Sequence, residues 1–355
     1  MRDFPPSRSL LDALALMASS FFDSDISSVS ESRFVSVPKE LRARYSRQHY
    51  RLVGAHSAVK TCTWVGKALR TSGVEHCYKQ RFYGVPTHRC LQMTPSLGHC
   101  NQNCVFCWRA TPEIIGVDWE QTQPIKGGDD PDKIVEGVIA AHRKLIYGWG
   151  GNPKVITQYL KEALDPVHAA ISLEGEPTIY DRLGDLVSSF KAHGFRSVFI
   201  VTNGTNPDAL KNLCTEPSQL YVSLCAPDEK TYKNTCRPMV PGSWERVMET
   251  LELLRSFKCP TVVRQTLVPK LNMLNIKGYA ELVKRAEPTY VEPKGAMSVG
   301  FARRRFAYEE MASYEDIRAF GAKLAKETGY ALIDEQYESN IVLLSRLKKP
   351  INLYA

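Results

Sequence analysis

The sequence has no uninterrupted apolar run near the roughly 18–20 residues that a membrane helix needs. The best candidate, LLDALALMASSFF from Leu10, is broken by Asp12 and lacks a leader cleavage site. It reads as a short helix or tail, not as a signal peptide. These absences point away from membrane-spanning and secreted classes and place the chain in the cytoplasm, where thiols stay reduced. There is also no internal repeat, no long linker, no phosphate loop for a flavin and no second C-x-x-C knuckle. Ten cysteines in such a chain read as ligands or catalysts rather than disulfides. At 355 residues, with 43% hydrophobic and 24% charged residues, the composition is that of a soluble globular enzyme of one large domain or two modest ones.

The charge is unevenly distributed. Between Val35 and Cys90 there are eleven Lys or Arg against Glu40 and Glu75, which gives +9; the whole chain carries +8, so the remainder sums to −1. Tyr45, Tyr50, Trp64, Tyr78, Phe82 and Tyr83 are interleaved with those cations. A basic, aromatic-rich segment suits a phosphate backbone and unstacked bases. A solvated basic face is the alternative.

Short β-branched runs occur at Cys90–Thr94, Ala169–Leu173, Ser197–Thr202, Leu220–Leu224, Thr261–Leu267 and Thr289–Glu292. Helical patterns lie between them at Pro131–Ile146, Pro153–Ala163, Ile179–Ala192, Asn206–Leu213, Ser243–Phe257 and Asn275–Ala286. Upstream, helices are expected near Pro38–Arg47 and Lys60–Arg70, and Asp118–Asp132 reads as a polar surface loop. Strand alternating with helix predicts an α/β fold of parallel units, six of them and so fewer than a full barrel. The expected organisation is a tail over residues 1–34, a basic extension over 35–90 and the barrel over 90–355. The distinctive stretches GHCNQNCVFCWRA, EGEP and TNGTN each follow a strand run, where parallel α/β barrels carry their active sites.

The first of these stretches holds Cys100, Cys104 and Cys107 as C-x-x-x-C-x-x-C. Three thiolates on one loop suit three irons of a cubane cluster, leaving the fourth iron open. Structural zinc wants four protein ligands, commonly from two knuckles, and remains the alternative. With Phe106 just before the third cysteine, the motif resembles the signature of the radical S-adenosylmethionine superfamily. The resemblance implies a partial (β/α)6 TIM-like barrel and a 4Fe–4S cluster whose open iron binds S-adenosylmethionine, cleaved reductively to a 5′-deoxyadenosyl radical. It assigns Gly175, Glu176 and Pro177 to the stretch that holds the methionine amino group, although Glu174 replaces the usual first glycine. Thr202, Asn203, Gly204 and Ser223 fall near the ribose by the same comparison. A turn, a helix cap and a satisfied strand end are the respective alternatives.

Cys62, Cys77 and Cys90 precede this triplet at spacings too long for a local knuckle. The polar, cationic stretch CYKQRFYGVPTHRC favours thiolates, hence metal ligation, over three unrelated core cysteines. LVGAHSAVKTCTW, CYKQRFYG, SLEGEPTIY, SLCAPDEKTYKNTCRP, RQTLV and EPKGAMSVGFARRRF resemble the tRNA 4-demethylwyosine synthase family from about Pro38 onward. That resemblance implies a second 4Fe–4S cluster on Cys62, Cys77 and Cys90. It also implies condensation of pyruvate with N1-methylguanosine 3′ of the anticodon of phenylalanine tRNA, in wybutosine biosynthesis. Lys79 is the implied Schiff-base lysine for pyruvate; chelation of pyruvate by the second cluster, or a phosphate contact by Lys79, are the alternatives. Arg303, Arg304 and Arg305 are candidate phosphate contacts, against a solvated charge run.

Eukaryotic members carry an additional flavodoxin-like electron-donor domain. About 60 residues precede Cys62, too few for a domain of about 100–150 residues, so an external electron donor and a monomeric, single-domain form are expected. Cys225 stands where the family has an acid, and Cys214, Cys225, Cys236 and Cys259 are expected to pack in the core. Two competing readings are a different two-cluster radical enzyme, which is disfavoured because its second cysteine set follows the barrel, and a zinc-stabilised RNA-binding protein.

Overall fold

The computed structural model describes residues 39–118, 125 and 127–354. The tail expected over residues 1–34 and part of the polar insertion, residues 119–124 and 126, lie outside the described residues. The strands are β1 (Arg51–Val53), β2 (Ser57–Val59), β3 (Cys90–Thr94), β4 (His168–Ile171), β5 (Ser197–Thr202), β6 (Gln219–Ser223), β7 (Thr261–Leu267), β8 (Tyr290–Gly295), β9 (Ala331–Gln336) and β10 (Ile341–Ser345). They form one sheet in the order β1-β2-β3-β4-β5-β6-β7-β8-β10-β9. The six central strands β3 to β8 are parallel neighbours. These are the six predicted runs, with ends shifted by one to three residues at β4, β6 and β8. The sheet stays open: an antiparallel hairpin, β1–β2, is added beside β3, and another, β10–β9, beside β8.

Alternation along the strands gives the sheet two apolar faces. On the outer face Leu91, Met93, Ile171, Val198, Ile200 and Val222 pack against helices. Pro131–Tyr147 is typical of those helices. Asp130 caps it by accepting from the N–H groups of Asp132 (3.0 Å) and Lys133 (3.4 Å), Pro131 occupies its first turn, and Ile134, Val135, Val138 and Ile146 form its buried stripe. On the inner face Phe199, Tyr221, Val262 and Tyr290 are covered by the short helix Tyr78–Tyr83, through Tyr78, Phe82 and Tyr83. The basic extension is therefore built into the barrel: its hairpin lengthens the sheet and its helix fills the inner face.

Among the described residues, no helix is long and apolar enough to cross a membrane. Cys214 corrects the expectation of a core thiol. It is exposed, and its thiol donates to Asp185 Oδ1 at 3.4 Å. Cys225 and Cys236 are buried as expected.

Candidate active site

The loop after β3 carries Cys100, Cys104 and Cys107, all half-buried free thiols. It is clamped from three sides. Glu176 N–H donates to His99 O (2.8 Å), and the adjacent Gly175 has φ +76. A Cβ on Gly175 would stand 2.0 Å from Ser96 O and 2.6 Å from His99 O, so only glycine permits this approach. From the loop after β5, Asn203 Nδ2 donates to Asn101 Oδ1 (2.8 Å), and Asn101 Nδ2 donates to Thr205 Oγ1 (2.7 Å). From the turn after β8, Arg305 donates to Val105 O (3.0 Å), Cys107 O and Thr111 Oγ1 (3.3 Å).

Of the side chains assigned to S-adenosylmethionine by resemblance, Glu176, Thr202 and Asn203 gather beside that loop. The buried Glu176 carboxylate accepts from Thr178 N–H (3.1 Å), Thr178 Oγ1 (2.7 Å), Thr202 Oγ1 (2.6 Å) and Asn203 N–H (2.7 Å). Burial pushes its pKa up and these donors pull it back. With four bonds made inside the protein, Glu176 and Thr202 join the loops after β4 and β5. Ser223, half-buried at the end of β6, lies beside Arg264 of β7. Phe106 packs against two small clusters, one containing Val268 and Ala296 and the other Cys225 and Ala226.

The upstream cysteines form a second group. Cys62 precedes the helix Thr63–Arg70, Cys77 precedes Tyr78–Tyr83, and Cys90 opens β3. Burial pushes the Cys77 thiol up to about 11, with a further contribution from Cys62, and the Cys90 thiol up to about 12, where Cys62 and Cys77 contribute. In the first group burial raises Cys100 well above the usual thiol range, with Cys104 and Cys107 adding to it, and takes Cys107 to about 12, with Cys104 adding. The six thiols thus sort into two triplets whose members repel one another as thiolates. Such a set takes up its charge when a cationic centre binds. Among the described residues no three His, Cys, Asp or Glu are grouped to hold a metal ion. Three thiolates on the loop after β3 suit an iron–sulfur cluster with one open iron.

Lys79 sits in the helix that covers the inner face. It is buried, with Nζ 3.7 Å from the Phe199 ring centroid and 4.7 Å from that of Tyr221. Among the described residues it has no ion-pair partner within 4.0 Å. Burial lowers its pKa to about 8, against the opposing pull of Cys90 and Cys77. Nearby, Arg264 Nε donates to Glu292 Oε2 (2.8 Å) and Nη2 to the Tyr78 hydroxyl (2.7 Å), while Tyr83 donates to Glu292 Oε1 (2.6 Å). Lys294, also lowered to about 8 by burial, donates to Ser339 O. Burial raises the Cys62 thiol, and Arg109, two residues beyond Cys107, partly offsets that rise.

Sequence reasoning missed Arg264, Glu292 and Lys294; their signal was a charge inside a largely buried strand. Glu174, read from sequence only as a departure from the usual glycine, is a buried carboxylate that accepts from the hydroxyls of Tyr45 and Tyr50 (2.7 Å) and so fastens the basic extension to the loop after β4. The arginine triplet divides. Arg303 and Arg304 are exposed, whereas Arg305 turns inward to the cysteine loop, because its guanidinium is the donor that satisfies that loop's carbonyls. Their turn is locked to the loop by Phe301 N–H donating to Trp108 O (3.1 Å), and Trp108 is 46% exposed beside it.

Comparisons with known proteins agree with this geometry. The radical SAM superfamily model matches residues 95–283, and the wyosine base formation model matches residues 285–346. The chain is 47% identical to the S-adenosyl-L-methionine-dependent tRNA 4-demethylwyosine synthase of Pyrococcus horikoshii, over 88% of this chain and 90% of that one. It is 38% identical to the Methanocaldococcus jannaschii enzyme of the same name, over 89% and 99%. A structure of TYW1 with a lysine–pyruvate adduct bound superposes with a TM-score of 0.79 at 36% identity, covering 90% of this chain and all of that one. Open six-strand barrel, cysteine triplet and sequence likeness converge: the chain belongs to the tRNA 4-demethylwyosine synthase family of radical S-adenosylmethionine enzymes.

Proposed function

We propose that this protein condenses pyruvate with N1-methylguanosine, 3′ of the anticodon of phenylalanine tRNA, to give 4-demethylwyosine. The observation that carries the reading is Lys79: a buried amine without a carboxylate partner, poised beside the second cysteine triplet, in a family where a related structure holds a lysine–pyruvate adduct. Burial favours the neutral amine, the form that attacks a ketone. The aromatic faces of Phe199 and Tyr221 then keep water from the resulting imine. Loss of the pyruvate carboxyl carbon classes the reaction with carbon–carbon lyases.

Cys100, Cys104 and Cys107 are the residues to hold the 4Fe–4S cluster, and Cys62, Cys77 and Cys90 a second one. S-adenosylmethionine, when bound at the first, supplies the 5′-deoxyadenosyl radical that starts the reaction. The Gly175 turn and the Thr202–Asn203–Glu176 bonds keep the pocket walls in place, and Ser223 offers a hydroxyl toward the ribose. Exposed Arg303 and Arg304 contact phosphates of the anticodon loop, with Trp108 as a stacking surface. An external reductant in the cytoplasm supplies electrons.

The test is an anaerobic turnover with reconstituted protein, S-adenosylmethionine, dithionite, pyruvate and phenylalanine tRNA bearing N1-methylguanosine. Digestion and mass spectrometry should show 4-demethylwyosine, and none without pyruvate. Release of 5′-deoxyadenosine with no new nucleoside would reject the substrate assignment.

A further inference from the structure

Two thiols outside both triplets touch the first one. The helix Glu229–Cys236 ends at Arg237, whose φ is 46, and the chain there runs antiparallel to the cysteine loop. Val105 N–H donates to Thr235 O (2.9 Å), and Asn103 N–H is shared between Cys236 O and Arg237 O (3.1 Å each). Farther along, Gln102 bridges to Pro238. Cys104 is thereby bracketed by backbone bonds and stands opposite Cys236. The Cys236 thiol faces Cys104 and Cys225, while the Cys104 thiol donates to Gln102 Oε1 at 3.2 Å. Cys225 and Cys236 are buried in a small apolar cluster with Ala226, Tyr232 and Val247, and Cys104 packs against the same cluster.

Backbone bonds on either side of a residue hold its Cα close to that of the residue it faces. A disulfide needs about 4.4–6.8 Å between Cα atoms and thiols that already meet. Cys104 and Cys236 stand opposite one another inside such a bracket and share one buried cluster. Cys100 and Cys107 share Cys104's loop, and joining either to it would have to reshape a segment that Arg305, Gly175 and Asn203 hold in place.

We propose that Cys236 is the capture partner of Cys104: when the first triplet lacks its cluster, the two thiols are oxidised to a reversible disulfide. This rests on the reading of Cys104 as a cluster ligand. With hydrogen peroxide as oxidant, the Cys104 sulfur attacks the peroxide, the O–O bond breaks, and Cys104 becomes a sulfenic acid with release of one water. The Cys236 thiol then attacks that sulfur, the S–O bond breaks, and a second water leaves. In total two thiols and one peroxide give one disulfide and two waters, with two electrons passing from sulfur to oxygen. A dithiol reductant returns both thiols by exchange. The disulfide keeps Cys104 from the irreversible sulfinic state and leaves the loop folded for reloading.

The experiment uses the full chain, purified and stripped of iron with a chelator, then treated with one equivalent of hydrogen peroxide. Free thiols are alkylated, and unreduced peptides are mapped by mass spectrometry. The expected result is a dominant Cys104–Cys236 linkage, absent from cluster-loaded protein and reversed by dithiothreitol. In C236S given a second equivalent of peroxide, Cys104 should instead gain two oxygens, and iron recovered per chain on reloading should fall at least several-fold relative to wild type treated alike. C236A gives the same comparison should serine perturb the fold, and the wild-type map decides without either variant. A dominant link from Cys104 to Cys100 or Cys107, or from Cys225 to Cys236 with Cys104 alkylated, overturns the proposal. Because the map needs no turnover, failure of the tRNA reaction and failure of this inference are separate results.

Discussion

The guanidinium of Arg305 is hydrogen-bonded to the backbone carbonyl of Cys107, a residue 198 positions earlier in the chain. It also reaches Val105 O and Thr111 Oγ1, so one side chain fixes the end of the cysteine loop. Bonds from a charged donor contribute roughly 1.5–3 kcal/mol each. Arg305→Ala should therefore reduce cluster retention at least tenfold, read as iron and sulfide per chain, while leaving tRNA binding nearly intact. Arg303→Ala with Arg304→Ala should do the reverse: weaker tRNA binding with a shallower salt dependence, and unchanged iron. Equal iron in Arg305→Ala and wild type would refute the division of the triplet.

Lys79 should be trapped by pyruvate and borohydride, giving a peptide mass shift on that residue alone. The reacting form is the neutral amine, and burial lowers the ammonium pKa to about 8. Deprotonation therefore rises with pH, and the initial trapping rate should climb through neutrality and level off above about 8. Lys79→Arg keeps the charge but cannot form the imine, so product should fall by at least two orders of magnitude. A pH-independent trapping rate would argue against the lowered pKa.

Gly175→Ala should be severe. The new Cβ would overlap the carbonyl oxygens of Ser96 and His99, both backbone atoms, at a φ of +76. We expect a loss of about 2–4 kcal/mol in chemical denaturation, or failure to accumulate folded protein. Gly151→Ala, where a Cβ meets nothing within 4 Å, is the control and should be nearly neutral.

Two buried histidines predict where acid destabilises the fold. Burial lowers His142 to about 4 and His168 to about 3. Their unfolded value lies near 6.5, so as pH falls below that the unfolded chain takes up protons first. Stability should be full above about pH 6.5 and decline steadily toward pH 4, ahead of most carboxylate titration. His142→Gln should flatten that decline in a series of melting curves. An unchanged slope would remove His142 as a cause.

The six central strands were legible because each is a β-branched run between polar loops; Cys90–Thr94, Ser197–Thr202 and Thr261–Leu267 have the expected ends. The helix Tyr78–Tyr83 was not, since six residues span too little of a helical period and its anchor is tertiary, the aromatic inner face. The helix Tyr314–Thr328 was legible and was overlooked. Ser313 and Asp316 form its capping box, and Gly329 ends it at a φ of +76. At the site, residue type and spacing pointed to the cysteines and Lys79. They could not reveal that Arg305 faces inward while Arg303 and Arg304 face out. Three identical charges in a row carry no record of which backbone carbonyls lie behind them. Nor could they show that Glu174, standing where a glycine is usual, is satisfied by two tyrosines from the extension.

The helix Tyr78–Tyr83 shares its core with Ile341 and Leu343 of β10, and Leu353 N–H donates to Tyr83 O at 2.9 Å. The segment bearing Cys77 and Lys79 thus rests on residues synthesised some 260–270 positions later. On the ribosome, that helix can meet Phe199 and Tyr221 early, but its packing stays incomplete until the last strands have emerged. The closure spans a very long loop, which slows the pairing even when its equilibrium cost is modest. The first cysteine triplet, by contrast, can be framed once the strands near it exist. Maturation should therefore be staggered, with metal delivery to the upstream cysteines waiting for chain release, and a nascent chain stalled before β10 should expose Cys77 to alkylation.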